Sequence, residues 1–318
     1  MYIKLNQNMK KTTLFVSLAS CITFNSQLKA QGCSDAGICT IHSIKNNTAG
    51  NDAKDQSKNE VVVGFAYGKG ERKTTDYTTY VEYTRNLPGN TSVTGKLSFS
   101  AVTGELANTS GLSDLFLSVN HTFNVKKAWQ KSFIVGLKIP FNDGNITKNG
   151  IYLPMPYQTS LGTTDLVLGL TATKKSFGAT LAVQQPLKPA NGNRFLPQDY
   201  PANKLAANYL PTNKFVRKGD VLLRFSYNIK LNNKFSIRPS LLSIYHEGND
   251  TYLDADNIRR EILKSSGLTL NAIIFAGYKI NAKSSFELSA GTPFVVRTNR
   301  PDGLTRSLVA SLDYKINL

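Results

Sequence analysis

The chain has 318 residues, 41% of them hydrophobic, which is enough for one large β-domain or two modest ones. It lacks the roughly 18 to 20 consecutive apolar residues that a membrane-spanning helix needs, so a helical membrane protein is excluded. The formal net charge is +17. The basic residues are spread singly, without a basic helix or an aromatic-rich RNA-binding motif, so we expect no nucleic-acid partner.

Residues 1–30 have the features of a cleaved secretory signal. Lys10 and Lys11 precede the mostly apolar stretch 14–24, and Ala30 is a small residue suited to a cleavage site. Residues 18–21, Leu-Ala-Ser-Cys, also resemble the site at which bacterial lipoproteins are cleaved and lipidated. The alternative to a simple signal is therefore a chain anchored through a lipid on Cys21.

Residues 31–59 form a flexible periplasmic segment in the sequence-based interpretation, because they are rich in Asn, Lys, Ser, Asp and Gly. Cys33 and Cys39 lie close together there and could form a disulfide in an oxidising periplasm, the alternative being two unpaired thiols. A metal site is not expected, since only His42 lies near them and a four-ligand set is incomplete.

Residues 60–318 alternate apolar and polar residues in successive segments, which indicates strands with two different faces. Most approach the ~9 to 11 residues that a tilted strand needs to cross a bilayer. The predicted strands are residues 60–68, 77–85, 92–101, 113–123, 131–140, 163–174, 177–185, 219–230, 234–246, 267–280, 284–297 and 304–318. The pattern predicts an all-β protein with a single transmembrane antiparallel β-barrel of about 12 strands.

The connections predict which way the barrel faces. Short connections such as Lys175-Ser176 alternate with long ones at 141–162, 186–218 and 247–266, although the short loop 298–303 breaks the pattern. Membrane barrels have short periplasmic turns and long extracellular loops. We therefore expect a multi-pass barrel in the outer membrane of a Gram-negative bacterium, exported by the signal peptide and monomeric.

The final strand alternates up to the last residue, Leu318. This resembles the C-terminal signal read by the outer-membrane assembly machinery, with leucine in place of the usual terminal aromatic. Aromatic residues near strand ends, Trp129 and Tyr227 among them, are expected to form an interfacial belt. The expected partners are the assembly machinery, outer-membrane lipids, lipopolysaccharide and an unidentified small solute.

The polar face of the strands is expected to line the interior. Its charged members are Glu82, Lys96, Asp114, Lys138, Asp165, Arg224, Lys230, Arg238, Lys279, Glu287, Arg297, Asp313 and Lys315. One interpretation is a ladder of neutralising pairs that fills a narrow barrel. The other is a lining that selects weakly for anions. Pairing of Arg224 with Asp165, or of Lys315 with Glu287, across the interior would favour the packed form.

Three segments resemble a known family: GLSDLFLSVNHTF (Gly111–Phe123), SFIVGLKIPFNDGN (Ser132–Asn145) and SLGTTDLVLGLTATKKSFGATLAV (Ser160–Val183). They are similar to the outer-membrane transporter-like barrels named for the meta-pathway of phenol degradation, a family related to the long-chain fatty-acid transporters. The resemblance implies uptake of small hydrophobic or aromatic compounds. It matches structural positions, so no binding residue is carried over.

Neither an enzyme nor a cofactor is expected. His42, His121 and His246 stand in no recognisable catalytic motif, and the chain contains no GxSxG, HExxH or Walker loop. A barrel enzyme acting on lipid through His121 or His246 is the less favoured alternative. Two loops could cover the mouth: residues 186–218 could fold inward, and residues 253–267 could form a short helix with Asp254 or Asp256 as N-cap.

Overall fold

The computed structural model describes residues 58–70, 72–123, 128–303 and 306–318. Within them, twelve strands form one closed antiparallel barrel. Helical structure among these residues is limited to short 3-10 turns, and none of their helices is long and apolar enough to cross a membrane. The predicted signal sequence, the Cys33 and Cys39 pair of the predicted disulfide, Cys21 and His42 lie outside the described residues.

Each predicted strand lies over one observed strand for most of the predicted length, because apolar and polar residues alternate along every strand. The strands are β1 (Asn59–Gly70), β2 (Thr75–Leu87), β3 (Thr91–Thr103), β4 (Asn108–Phe123), β5 (Gln130–Pro140), β6 (Thr164–Lys174), β7 (Phe177–Lys188), β8 (Asp220–Tyr227), β9 (Phe235–His246), β10 (Gly267–Lys279), β11 (Ser284–Val295) and β12 (Arg306–Asn317). After Asn228, β8 resumes with Ile229–Lys230. The predicted fold class is confirmed.

Each strand pairs with its neighbours in sequence, and the first strand pairs with the last. Val63 of β1 lies opposite Tyr314 of β12 on one side and opposite Val81 of β2 on the other. Closure leaves no sheet edge with unpaired backbone groups. The chain therefore has the backbone arrangement that a membrane-spanning sheet requires.

The connections lie on two rims. At the rim that we call the short-turn rim, the strands are joined by residues 88–90, 124–129, 175–176, 231–234 and 280–283. The opposite, long-loop rim carries residues 71–74, 104–107, 141–163, 189–219, 247–266 and 296–305. The amide of Leu318 donates to the carbonyl of Asn59 at 2.8 Å, so both ends of the barrel segment lie at the short-turn rim.

The two faces of the wall have opposite character. Outward-facing side chains are large, apolar and exposed, as with Leu170 at 59% and Leu181 at 48% of their possible exposure. Inward-facing side chains are buried and often polar or charged. On β8 the outward residues Leu223, Phe225 and Tyr227 are exposed, as the alternation predicts.

Part of the inner face is apolar. A buried cluster takes one side chain from each of the six consecutive strands β4 to β9: Phe116, Ile134, Val167, Ala182, Leu222 and Leu242. Leu222 breaks the sequence alternation of β8, and its place in this cluster explains why. These six side chains form an apolar arc on the inner face, beside the charged residues of the same strands.

Glycines make room for large aromatic rings inside the barrel. Gly64 lies directly opposite Tyr80, and a Cβ atom at Gly64 would be 2.1 Å from Tyr80 Cζ. A Cβ at Gly136 would similarly be 2.3 Å from Phe116 Cζ. Glycine inside a strand weakens the sheet unless another group packs on it. The rings of Tyr80 and Phe116 therefore explain why positions 64 and 136 carry glycine.

The helix predicted over residues 253–267 is wrong. Thr251–Leu253 pairs with Arg259–Glu261 as a short hairpin. The carboxylate of Asp254 accepts hydrogen bonds from the amides of Asp256 at 3.0 Å and Ile258 at 2.8 Å, so it closes a turn instead of capping a helix.

Candidate functional site: the barrel interior and its long-loop mouth

The structure places most of the predicted lining residues on the inner face. Nine are buried: Glu82, Lys96, Asp114, Lys138, Asp165, Arg224, Arg238, Arg297 and Asp313. Glu287 and Lys315 are partly buried, while Lys230 and Lys279 lie at the short-turn rim with exposed side chains. Arg297 follows β11 in a long-rim loop and not in the strand where the alternation places it.

One buried ion pair joins two adjacent strands. Lys138 of β5 and Asp165 of β6 lie directly opposite in the ladder, with Nζ 2.8 Å from Oδ2. The side-chain amide of Gln184 on β7 also donates to this carboxylate. Both charged groups are almost completely buried, so each needs the other to offset its loss of hydration.

A second pair passes over one intervening strand. The guanidinium of Arg238 on β9 donates to Glu287 of β11 at 3.0 Å, and it lies 4.4 Å from the ring centroid of Phe275 on β10. The ring thus supports the guanidinium as it crosses β10.

A third group forms around the ring that covers Gly64. The hydroxyl of Tyr80 on β2 donates to Asp313 of β12 across β1. The ammonium of Lys96 on β3 lies 3.8 Å from the ring centroid of Tyr80. Lys315 of β12 likewise pairs with Glu60 of the adjacent strand β1.

These interior pairs follow the wall and do not cross the barrel. Each joins adjacent strands or strands separated by one neighbour, whereas opposite walls of a twelve-stranded barrel are six strands apart. A bridge from Arg224 to Asp165, or from Lys315 to Glu287, would have favoured the packed form. In the structure Asp165 pairs with Lys138, and Glu287 pairs with Arg238.

The long-loop mouth contains a buried cluster of charges centred on His246, the last residue of β9. Its Nδ1 lies 2.7 Å from Asp220 Oδ1 on β8, and its Nε2 lies 2.9 Å from Asp250 Oδ1 in the following loop. An ionised carboxylate only accepts hydrogen bonds. With both carboxylates ionised, both ring nitrogens must therefore donate, which makes His246 an imidazolium.

Two arginines extend this cluster to two further loops. Arg217, from the loop before β8, pairs with Asp220, and its Nε lies 3.8 Å from Asp302. Arg297 lies 2.8 Å from the same Asp302 carboxylate and donates to the carbonyl of Ser265. We call this set, consisting of Arg217, Asp220, His246, Asp250, Arg297 and Asp302, the rim cluster.

The charges of the rim cluster balance, with three carboxylates against two guanidiniums and one imidazolium. Burial alone would raise the pKa of Asp302, but Arg297 and Arg217 beside it hold that pKa below its ordinary value. The cluster therefore ties three loops and the wall together through buried, mutually compensating charges.

Apolar packing under the loops accompanies the rim cluster. Tyr157 and Phe195 are completely buried in one loop cluster, and Phe215 is completely buried in another. The hydroxyl of Tyr157 accepts a hydrogen bond from the amide of Leu106 at 3.0 Å and lies 2.9 Å from the hydroxyl of Tyr209. The loop before β8 thus packs against the other long loops through buried aromatic side chains.

Asparagine side chains connect the two longest loops. The buried amide of Asn193 donates to the carbonyls of Gly144 at 2.7 Å and Leu153 at 3.0 Å, and its oxygen accepts from Thr212 at 2.8 Å. Asn191 donates to the carbonyl of Leu161 at 2.9 Å. A cavity of about 30 Å³ between Asp76, Ser160 and Asp302 leaves room for about one water molecule. The long loops are thus held against one another at this rim.

The two described histidines are not arranged for catalysis. Both ring nitrogens of His246 bond to carboxylates, so the ring cannot accept a proton from a nucleophile. His121 lies on the apolar side of β4, as predicted, with Nδ1 2.9 Å from the Thr91 hydroxyl and its ring against Phe123. Among the described residues, no three His, Cys, Asp or Glu side chains are placed to hold a metal ion.

Sequence reasoning missed most of the rim cluster. Arg217, Asp220, Asp250 and Asp302 lie at strand ends or in loops, where no alternation assigns a direction to a side chain. The available signal was an Asp close to Gly and to a basic residue or His in each of RKGD, HEGND and RTNRPDG, which lie in or at the ends of three long-rim loops.

No family model matches the chain, and no curated protein matches it. Among solved structures, an outer membrane channel from Pseudomonas putida F1 is similar at a TM-score of 0.59 and 13% identity, over 84% of this chain and 98% of that one. The translocator domain of autotransporter NalP from Neisseria meningitidis has a TM-score of 0.46 and 10% identity, over 84% of this chain and 90% of its own. The NanC porin has a TM-score of 0.44 and 8% identity, over 82% of this chain and 98% of its own. At 13% identity, the first of these likenesses shows a shared barrel fold.

Proposed function

We propose that the chain is a bacterial outer-membrane channel for small solutes, whose long-loop mouth is closed by the rim cluster and opens when those loops move. The observation that carries the proposal is the combination of an apolar outer wall, charge pairs that run along the inner wall, and loops tied over one mouth by buried charges. The similar channel from Pseudomonas putida F1 supports the same class of function.

The outer wall supports a membrane location. Exposed side chains such as Val63, Leu181 and Leu312 would form a continuous apolar surface, which a soluble monomer seldom presents. Membrane barrels have their tight turns on the periplasmic side. The short-turn rim then faces the periplasm, and the long loops lie outside the cell. Export by the 1–30 signal and a monomeric state remain part of this proposal.

The direction of the interior pairs supports a conduit. Lys138–Asp165 and Arg238–Glu287 stabilise the lining without joining opposite walls. A barrel that served only as a scaffold could fill its interior with apolar side chains at least as stably, because buried ion pairs gain little over apolar packing. A charged inner wall is useful where solutes and water pass.

The solute class follows from the same inner wall. Arg224 and Arg238 lie on adjacent strands beside the apolar arc formed by β4 to β9. Such a lining suits small organic anions with an apolar part. The resemblance to the phenol meta-pathway barrels, which implies hydrophobic or aromatic compounds, points the same way and remains a prediction.

Single-channel conductance of the refolded chain in a planar bilayer tests this function. We expect rare, stable openings of the native chain under a salt gradient, with anion preference. Replacing Arg238 by Gln should reduce that preference, because the arginine would no longer attract anions to the lining. A folded chain that inserts but stays silent, even after the rim cluster has been disrupted, would contradict the channel.

The second candidate is a structural or surface-interaction barrel with a packed interior. The apolar cluster of the inner wall and the buried clusters under the long loops favour it. Hydrogen–deuterium exchange or solute uptake separates the two functions: a rim-cluster variant that opens to water and solutes supports the channel, whereas loosened loops without permeation support the packed barrel.

A further inference from the structure

The short-turn rim has a strongly one-sided charge. The turns and adjoining residues 85–91, 124–132, 174–177, 228–235 and 279–285 contain lysine or arginine in every case and no aspartate or glutamate. We call the described cations of these segments the basic collar. Its members are Arg85, Lys131, Lys174, Lys175, Lys230, Lys234, Lys279 and Lys283.

The collar is accessible around the whole circumference. All its lysines are exposed, and Arg85 is half-buried. At least one of them lies within each of the five turns of this rim or within three residues of it, so the charge is spread along the rim and not confined to a groove or a single patch. Lys315 is excluded from the collar because Glu60 already pairs with it.

Aromatic residues lie immediately next to the collar on the outer wall. Phe235 packs on Tyr278 with ring centroids 4.6 Å apart, and Phe286 packs on Tyr314 at 5.0 Å. The ammonium of Lys174 lies 5.3 Å from the ring of Trp129. Aromatic belts mark the level where acyl chains meet headgroups, so lysines just beyond the belt lie at headgroup depth.

The long-loop rim differs in charge. Its loops mix both signs, and two exposed cations there pair locally, Lys73 with Glu105 at 2.8 Å and Arg260 with Asp254 at 2.7 Å. The excess positive charge is therefore not a uniform property of the surface. It is concentrated on the rim whose turns are too short to fold into a binding pocket.

We propose that the basic collar binds anionic phospholipid headgroups of the leaflet at the short-turn rim, of the phosphatidylglycerol or cardiolipin type. This inference rests on the membrane location in the proposed function. A ring of ammonium groups at headgroup depth lies parallel to the phosphates of a bilayer and can contact many of them at once. Unpaired lysines at such a surface each add to the attraction for anionic lipid.

The experiment measures lipid association of the full chain reconstituted in phosphatidylcholine vesicles. Spin-labelled phosphatidylglycerol and spin-labelled phosphatidylcholine are compared for their association with the barrel. The collar variant carries Lys174→Gln, Lys175→Gln, Lys234→Gln and Lys283→Gln. The control variant carries Lys148→Gln, Lys188→Gln, Lys204→Gln and Lys264→Gln, which removes the same charge from exposed positions at the other rim.

We expect the native chain to prefer phosphatidylglycerol several-fold. The collar variant should lose most of this preference and the control variant should keep it. Equal association of the two lipids with the native chain, or equal losses in the two variants, would overturn the proposal. Loss of the preference on addition of soluble polyphosphate at constant ionic strength would also overturn it, since the collar would then be a general polyanion site.

The lipid measurement is independent of conductance. A silent barrel that still prefers phosphatidylglycerol would remove the channel function and leave the collar intact. A conducting barrel without lipid preference would support the channel function and contradict lipid binding by the collar. Neither quadruple variant touches the charged inner wall or the rim cluster, so both variants should fold and conduct like the native chain.

Discussion

The imidazole of His246 lies 2.9 Å from the carboxylate of Asp250, and this contact ties the end of β9 to the loop that follows it. Asp250 also faces Arg297 at 3.9 Å, so it connects the wall to a second loop. Removing one partner from a buried charged pair costs about 3–5 kcal/mol, because the other charge remains buried without compensation. The loops over the mouth should therefore be sensitive to single substitutions in this cluster.

Asp250→Asn should open the mouth. The amide cannot balance the charges of His246 and Arg297, so the free energy that keeps the loops closed falls by about 3 kcal/mol or more. We expect the ratio of open to closed states in single-channel recordings to rise by about a hundredfold or more. Asp254→Asn is the matched control, since it lies in the same loop, pairs with exposed Arg260 and has no contact with the rim cluster. Equal open fractions in the two variants would contradict the role of the cluster.

Acid should open the mouth only below the ordinary range of aspartate. The pKa of Asp302 is lowered, so its ionised form stabilises the closed loops above the usual carboxylate value of about 3.9, and this contribution is lost as pH falls through the lowered pKa. Protease cleavage of the loop 296–305, followed against pH, should stay slow at pH 5 and accelerate only below about pH 4. Asp302→Asn should make cleavage fast throughout. An acceleration of the native chain above pH 5 would argue against this account.

Gly64→Ala should disturb the interior. The new Cβ would lie 2.1 Å from Tyr80 Cζ, so the ring must move away from Asp313. Overpacking of this kind costs about 1–3 kcal/mol of unfolding free energy, measurable by urea titration of the barrel in lipid. Gly95→Ala is the control, because its Cβ meets Leu117 at an ordinary 3.5 Å. If both variants unfold at the same urea concentration, Tyr80 is not held as described.

Leu181→Arg tests the membrane location directly. Leu181 is 48% exposed near the middle of β7, and an arginine at the bilayer midplane costs about 2–4 kcal/mol in such barrels. Leu263 is 65% exposed but lies in a long-rim loop, so Leu263→Arg should cost little. Unfolding free energies in lipid vesicles separate the two variants. If Leu181→Arg were as stable as Leu263→Arg, the outer wall would not face lipid.

Alternation was sufficient to predict the strands because each wall segment has two chemically different faces. On β8, Leu223 and Phe225 fall outward and Arg224 inward, as their spacing requires. The same logic also turns Leu222 inward, but it could not explain an apolar residue on the polar face, which depends on apolar neighbours from five other strands. Nor could it find the ion pairs, since the partner of Asp165 depends on the register between β5 and β6.

The conformations of the long loops depend on contacts that alternation does not predict. Asp254 looked like a helix cap by position, yet its carboxylate closes a hairpin turn, and this outcome depends on Thr251–Leu253 finding a partner strand. In the rim cluster, Arg217 of the loop before β8 lies beside Asp302 of the loop before β12. Residues so far apart in the sequence cannot be paired from a local pattern. Nor could the sequence predict the contacts that hold the loop before β8, such as the hydrogen bond from Thr212 to Asn193.

The pairing of β1 with β12 also has a consequence for biogenesis. Val63 meets Tyr314 only when nearly the whole barrel sequence has emerged, so the seam is the last ladder that can form. Until then both outer strands expose unpaired amides and carbonyls, which invite pairing with other chains. A nascent barrel of this topology needs protection of its two free edges up to the final strand, and deletion of β12 should yield aggregates instead of a smaller barrel.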